Sequence, residues 1–206
     1  MSEHNILGAI LAGGQSKRMG KDKLFLQLND KMLIEHTINK VEKYLKDIII
    51  ITNQKNEYFS KKNLTTVEDC IEGQLGPLVG ILTAMKWAKE NLKECSWVAT
   101  FPCDTPFFPE TIIKKFIEKS KKKDSLLLCA SSHGRKHNIF GLWSLDLYEK
   151  LKDDLINNKI RKVQDWIEKN KITNVEFNFK EYDPFFNINT LDDLEAAKKI
   201  IKNEKK

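Results

Sequence analysis

Ile6-Leu7-Gly8-Ala9-Ile10-Leu11 runs directly into Ala12-Gly13-Gly14-Gln15-Ser16-Lys17-Arg18-Met19-Gly20-Lys21-Asp22-Lys23. The first six residues form the continuous apolar run expected of a parallel strand buried on both faces. Glycines at the end of such a strand allow a tight bend and bring bare N–H groups against a ligand, and Lys17, Arg18, Lys21 and Lys23 set positive charge beside them. A polyphosphate suits this arrangement. A neutral ligand has no use for four cations around one turn, and a purely structural turn rarely carries so many that repel one another. Two familiar phosphate loops do not fit. G-x-x-x-x-G-K-[ST] fails because Lys21 is followed by Asp22, and G-x-G-x-x-G fails on glycine spacing.

The 206-residue chain is long enough to bury one α/β core without disulfides or metals, and a single domain over residues 1–206 is expected. Cys70, Cys95, Cys103 and Cys129 lie far apart with no C-x-x-C pair, which argues against a zinc site or a disulfide framework. The N-terminus has no basic region ahead of an extended apolar segment. No run approaches the roughly 20 apolar residues of a membrane span, so a cytoplasmic protein without membrane contact is expected. The net charge of +6 comes largely from lysines scattered beside glutamates. That pattern is a solvated surface, and without a basic aromatic-rich strand it does not indicate a nucleic-acid partner.

Strand-like and helix-like segments alternate, which predicts an α/β fold: a three-layer, Rossmann-like, mostly parallel sheet with helices on both faces. After the first strand, helical periodicity covers residues 31–45, and a β-branched run at 48–52 is a second buried strand. Further strands are expected at 64–67, 96–101, 126–130, 139–143 and 175–179. Helices are expected at 81–91, 109–122, 145–156, 162–169 and 191–201. In open parallel sheets ligands gather beyond the carboxyl ends of the strands. Leu11 to Gly14, Asn53, Asp69 and Asp104 stand at four successive strand ends and are therefore candidates for one nucleotide-binding crevice. Asp104, held between Pro102 and Pro106, is the candidate Mg²⁺ ligand, because a carboxylate among phosphates is best neutralised by a divalent cation.

The segment L-A-G-G-x-S-x-R-M-G-x-D-K resembles the signature of the molybdenum cofactor guanylyltransferases (the MobA family), within the wider nucleoside-triphosphate transferases. Pro102-Cys103-Asp104-Thr105-Pro106 resembles the family's P-C-D-[TM]-P stretch, whose aspartate holds magnesium and contacts the nucleotide. Asp69 matches an aspartate that the family directs toward the nucleotide, and Gly76-Pro77-Leu78-Val79-Gly80 is similar to its G-P-L-[AV]-G element. Phe186-Asn187-Ile188-Asn189-Thr190 resembles [FV]-N-[IV]-N-T, which implies that Asn187 and Asn189 border the active site. Locally, Thr190 and Asp193 also read as a helix-capping pair. Gly134-Arg135-Lys136-His137-Asn138 departs from the pattern, with Asn138 where proline is common. Arg135, Lys136 and His137 are candidates for binding the acceptor, although basic residues beside glycine are also ordinary in exposed turns.

The resemblance implies transfer of GMP from GTP to molybdenum cofactor, with release of pyrophosphate and hand-over of the product to cofactor-assembly proteins or molybdoenzyme chaperones. Catalysis should then come from alignment and charge stabilisation, with Arg18, Lys23 and Asp104 as the catalytic group and no nucleophilic side chain. A sister transferase using CTP or UTP on another phosphorylated acceptor is one alternative. A non-catalytic nucleotide or polyanion binding module is another, and it should bind with a steep salt dependence.

Overall fold

A computed structural model of the chain describes residues 5–13, 23–73, 76–121, 125–179 and 181–204, with backbone alone at 23 and 204. Nine strands and seven helices are described: β1 (Ile6–Leu11), β2 (Gln27–Leu28), β3 (Lys31–Met32), α1 (Leu33–Val41), β4 (Asp47–Ile51), α2 (Glu57–Lys61), β5 (Thr65–Val67), α3 (Pro77–Asn91), β6 (Trp97–Pro102), α4 (Ile112–Ser120), β7 (Leu127–Ser132), β8 (Arg135–Ser144), α5 (Tyr148–Ile156), α6 (Val163–Glu168), β9 (Thr173–Glu176) and α7 (Leu191–Glu204).

Seven strands form one sheet in the order β5-β4-β1-β6-β8-β7-β9, while β2 and β3 pair as a separate ribbon. β8 alone is antiparallel to its neighbours; every other pairing in the large sheet is parallel. The alternation of side chains along each strand explains the layers. Leu7, Ala9 and Leu11 of β1 join Ile49, Ile51, Val98 and Trp143 under α3, α5 and α6. On the opposite face, Ile6 and Phe101 pack with α4 residues Ile112, Ile113 and Phe116. Ile10 and Ile50 meet Ile34 and Ile38 of α1 there. The expected three-layer, mostly parallel sheet is what the chain forms.

Several boundaries differ from the periodicity. Helix α1 begins at Leu33 rather than 31 because Lys31 and Met32 pair with Leu28 and Gln27 across an Asn29-Asp30 turn. Asn29 there takes a left-handed φ of 56°, which asparagine tolerates. Helix α3 starts four residues earlier than expected: Pro77 is its first residue, and Gly76 ahead of it adopts φ +79°, a conformation that suits glycine. Helix α4 starts at Ile112 instead of 109, with Ile112 N bonded to Pro109 O in a preceding turn. β8 is longer than the expected 139–143 because β7 and β8 form a tight hairpin through His133 (φ 47°) and Gly134 (φ 78°). β9 covers residues 173–176 rather than 175–179.

Candidate active site

One cavity of about 740 Å³ opens at the carboxyl ends of the parallel strands. Leu11, Ala12 and Gly13 reach it from the end of β1, Asn53 from β4, Asp69 from β5 and Asp104 from β6. Arg135, Lys136, His137, Asn138, Ile139 and Phe140 of β8 form the opposite side, together with Phe185 and Asn187. The four strand-end stations picked from the sequence therefore share one crevice. Arg135, His137 and Asn187 join them, whereas Asn189 does not line the cavity. Gly14 and Arg18, and the Lys23 side chain, lie outside the described residues.

Asn53 and Asp69 lock the first end of the crevice. Asn53 Nδ2 donates to Asp69 Oδ2 at 2.9 Å, and Asp69 N donates to Asn53 Oδ1 at 2.8 Å. This reciprocal pair ties the loop after β4 to the loop after β5. The second loop is pinned to α3 as well: Thr83 Oγ1 accepts from Cys70 N at 2.9 Å and donates to Val79 O at 2.8 Å. Thr83 was invisible from sequence because it lies within helical periodicity. Its hydroxyl meets the neighbouring loop only after α3 has docked.

The Asp104 carboxylate, part of the cavity lining, is held by its neighbours. Thr105 Oγ1 hydrogen-bonds Asp104 Oδ1 at 3.1 Å and also contacts the Asn187 side-chain oxygen. Ile188 N donates to Asp104 O at 2.9 Å, so the Asn187 loop is fastened to the strand end that carries the aspartate. The chain beyond this loop turns into α7 through reciprocal capping. Asp193 Oδ2 accepts from Thr190 N, and Thr190 Oγ1 accepts from Asp193 N at 3.1 Å. The local capping explanation for Thr190 and Asp193 is correct, and it also fixes Asn187 at the cavity.

The acceptor-side wall depends on an irregularity in β8. Cys129 of β7 pairs with Gly141 and Ala130 pairs with His137, leaving Asn138, Ile139 and Phe140 without partners on β7. A bulge of this kind bends a strand and re-aims its side chains. It is stitched from within: the buried Trp143 Nε1 donates to Thr100 Oγ1 at 3.0 Å, and Thr100 Oγ1 donates to Ile139 O at 2.5 Å. Gly141 leaves room for that indole, since a Cβ at 141 would sit 2.6 Å from Trp143 Nε1. No sequence pattern announces the bulge, although Gly141 two residues before a tryptophan is its one visible trace.

Burial pushes the His137 pKa below its ordinary 6.5, while Asp183 partly opposes that shift. The Cys129 thiol beneath this wall is pushed up to about 12 by burial, which makes it an inert core group. Among the described residues no cluster of three or more His, Cys, Asp and Glu forms a metal cage. No described helix is long and apolar enough to cross a membrane.

Residues 8–172 match the MobA-like NTP transferase domain. The molybdenum cofactor guanylyltransferase of Mesorhizobium japonicum is 35% identical over 203 residues, covering 97% of both chains. The Haemophilus influenzae enzyme of the same name (strain 86-028NP) is 36% identical over 193 residues, covering 93% of this chain and 97% of that one. The crystal structure of molybdopterin-guanine dinucleotide biosynthesis protein A from Archaeoglobus fulgidus shares the fold, with a TM-score of 0.72 at 22% identity over 96% of this chain and 99% of that one. With its crevice at the strand ends and full-length relatives at this level of identity, the chain belongs to the MobA-like NTP transferase family.

Proposed function

We propose that this protein transfers GMP from GTP to molybdenum cofactor, releasing pyrophosphate and forming the guanine dinucleotide of the cofactor. The observation that carries this reading is the single crevice in which Gly13, Asn53, Asp69 and Asp104 face Arg135, His137 and Asn187. The relatives named above support the choice of GTP and of the molybdenum cofactor. In the reaction an oxygen of the acceptor's terminal phosphate attacks the α-phosphorus of GTP, the α–β bridging P–O bond breaks, and pyrophosphate departs with that electron pair.

The residues divide the work by position. Leu11, Ala12, Gly13, Asn53 and Asp69 lie on the nucleotide side, and the reciprocal Asn53–Asp69 bonds keep that side preorganised. Gly14, Arg18 and Lys23 are assigned to the phosphate chain from the sequence pattern, the two cations balancing charge that develops on the leaving pyrophosphate. Arg135 and His137, with Asn187, orient the acceptor.

The donor set at the centre fits Mg²⁺. Asp104 offers a hard carboxylate oxygen, and one carboxylate suffices for Mg²⁺ when substrate phosphates and water fill its remaining positions. When bound, the ion supplies Lewis-acid neutralisation of the phosphate oxygens. The hydrogen bond from Thr105 and the backbone tie to Ile188 keep the carboxylate in place for that role.

The test is pyrophosphate release by purified protein supplied with Mg²⁺, molybdenum cofactor and each nucleotide in turn. GTP is expected to react and CTP and UTP are not. Equal turnover of CTP would replace the guanylyl assignment with a cytidylyl one. Absence of release from all three would remove the reaction.

A further inference from the structure

His137 sits in a hydrogen-bonded chain that fixes where its proton lies. Ser132 Oγ is 2.7 Å from His137 Nε2 and 3.2 Å from Asp183 Oδ1. The serine hydroxyl has one proton. A carboxylate only accepts, so that proton is directed to Asp183, and Oγ must accept from the histidine. Nε2 therefore carries the hydrogen, and in the neutral ring Nδ1 is a bare acceptor. The chain is braced by the segment that carries Asp183 and Phe185: Asp183 Oδ1 also accepts from Phe185 N at 2.9 Å, and the Phe185 ring, itself part of the cavity lining, stacks on the imidazole at 4.1 Å with 20° between planes.

Resting on the reaction proposed above, we infer that His137 recognises an N–H donor on the heterocycle of the accepting substrate through Nδ1, with Ser132 and Asp183 acting as positioning residues that set the tautomer. Three observations favour this over a phosphate contact. His137 lines the cavity on β8, while Asn53 and Asp69 follow β4 and β5 on the far side of β1 and β6. A lone pair aimed at a phosphate oxygen repels it, and Arg135 and Lys136 on the same strand already supply cations for an anion. Burial also disfavours the imidazolium, so the neutral ring prevails near pH 7; the charged groups that act on it are Arg135 of β8, Glu176 of β9 and Asp183.

The tautomer is read directly by long-range ¹H–¹⁵N correlation spectra of the ¹⁵N-histidine-labelled protein. The wild type is expected to show the hydrogen on Nε2 and an unprotonated Nδ1. Asp183→Asn, whose side-chain oxygen still accepts the serine proton, keeps that pattern, and Ser132→Ala gives a mixture of tautomers. In steady-state assays His137→Phe, which retains the stacking surface, raises the KM for molybdenum cofactor about tenfold and leaves the KM for GTP within about twofold, the size of one lost hydrogen bond. Ser132→Ala raises the acceptor KM by a smaller factor, about threefold, because the ring remains but its proton is free to move. A wild-type spectrum with the hydrogen on Nδ1, or an acceptor KM unmoved by His137→Phe in an enzyme that turns over GTP, overturns the inference. A wild type that releases no pyrophosphate overturns the proposed reaction instead, and the spectrum still decides the tautomer.

Discussion

Thr100→Val isolates the device that shapes the acceptor wall. Valine has nearly the shape of threonine, so the substitution removes a hydroxyl without opening a cavity. Two partners then lose it at once: Trp143 Nε1–H, on a fully buried indole, and the half-buried carbonyl of Ile139 at the bulge. The orphaned indole N–H costs about 1–3 kcal/mol and the half-buried carbonyl less, and relief of desolvating the hydroxyl returns part of that, so a net loss of about 2–3 kcal/mol is expected. With a urea dependence of about 2–3 kcal/mol per molar for a chain of this size, the unfolding midpoint falls by about 0.7–1.5 M. Thr100→Ser is the control. It keeps both hydrogen bonds and loses a methyl, costing about 1 kcal/mol. The order of damage is therefore Val greater than Ser, the reverse of what packing alone dictates. A Thr100→Val protein as stable as wild type, or more stable than Thr100→Ser, would refute the claim that this hydroxyl holds the bulge.

Two other outcomes follow from the site and from the half-buried histidines. Asp104→Asn preserves an oxygen for the Thr105 hydroxyl but removes the charge, so turnover of GTP should drop at least about tenfold, or 1.4 kcal/mol of transition-state stabilisation, with little change in the urea midpoint. Undiminished turnover counts against a metal at this carboxylate. Burial lowers the pKa of both His36 and His137 in the fold. The unfolded chain therefore binds more protons as pH falls through their ordinary 6.5, and the stability they contribute is present above that pH and lost below it. Urea midpoints should decline between about pH 7 and pH 5, and His36→Gln should shrink that decline.

Much of this architecture is legible in the chain because its signals are local. The apolar run Ile6–Leu11 is buried on both faces as a central strand, and Asn53, Asp69 and Asp104 converge because parallel strands bring their carboxyl ends to one edge. Helix starts were less legible. Periodicity cannot tell that Lys31 and Met32 pair with a ribbon strand, nor that Gly76 supplies the positive φ from which α3 begins at Pro77. Least visible were the residues that position others. Thr83, Thr100, Ser132 and Asp183 act through contacts with residues distant in sequence, and nothing in their neighbours' spacing encodes those partners. Asn189 shows the converse: it belongs to a recognisable motif, yet only Asn187 of that pair lines the cavity.

A crystal soaked with GTP and Mn²⁺ in place of Mg²⁺ tests the central claim most directly. The account predicts an anomalous manganese peak against the Asp104 carboxylate, bridged to the nucleotide's phosphates, with the nucleoside beside Asn53 and Asp69 and the phosphates over the Gly13 turn. A nucleotide bound outside this crevice, or a manganese ion on the triphosphate with Asp104 turned away from it, would contradict the account.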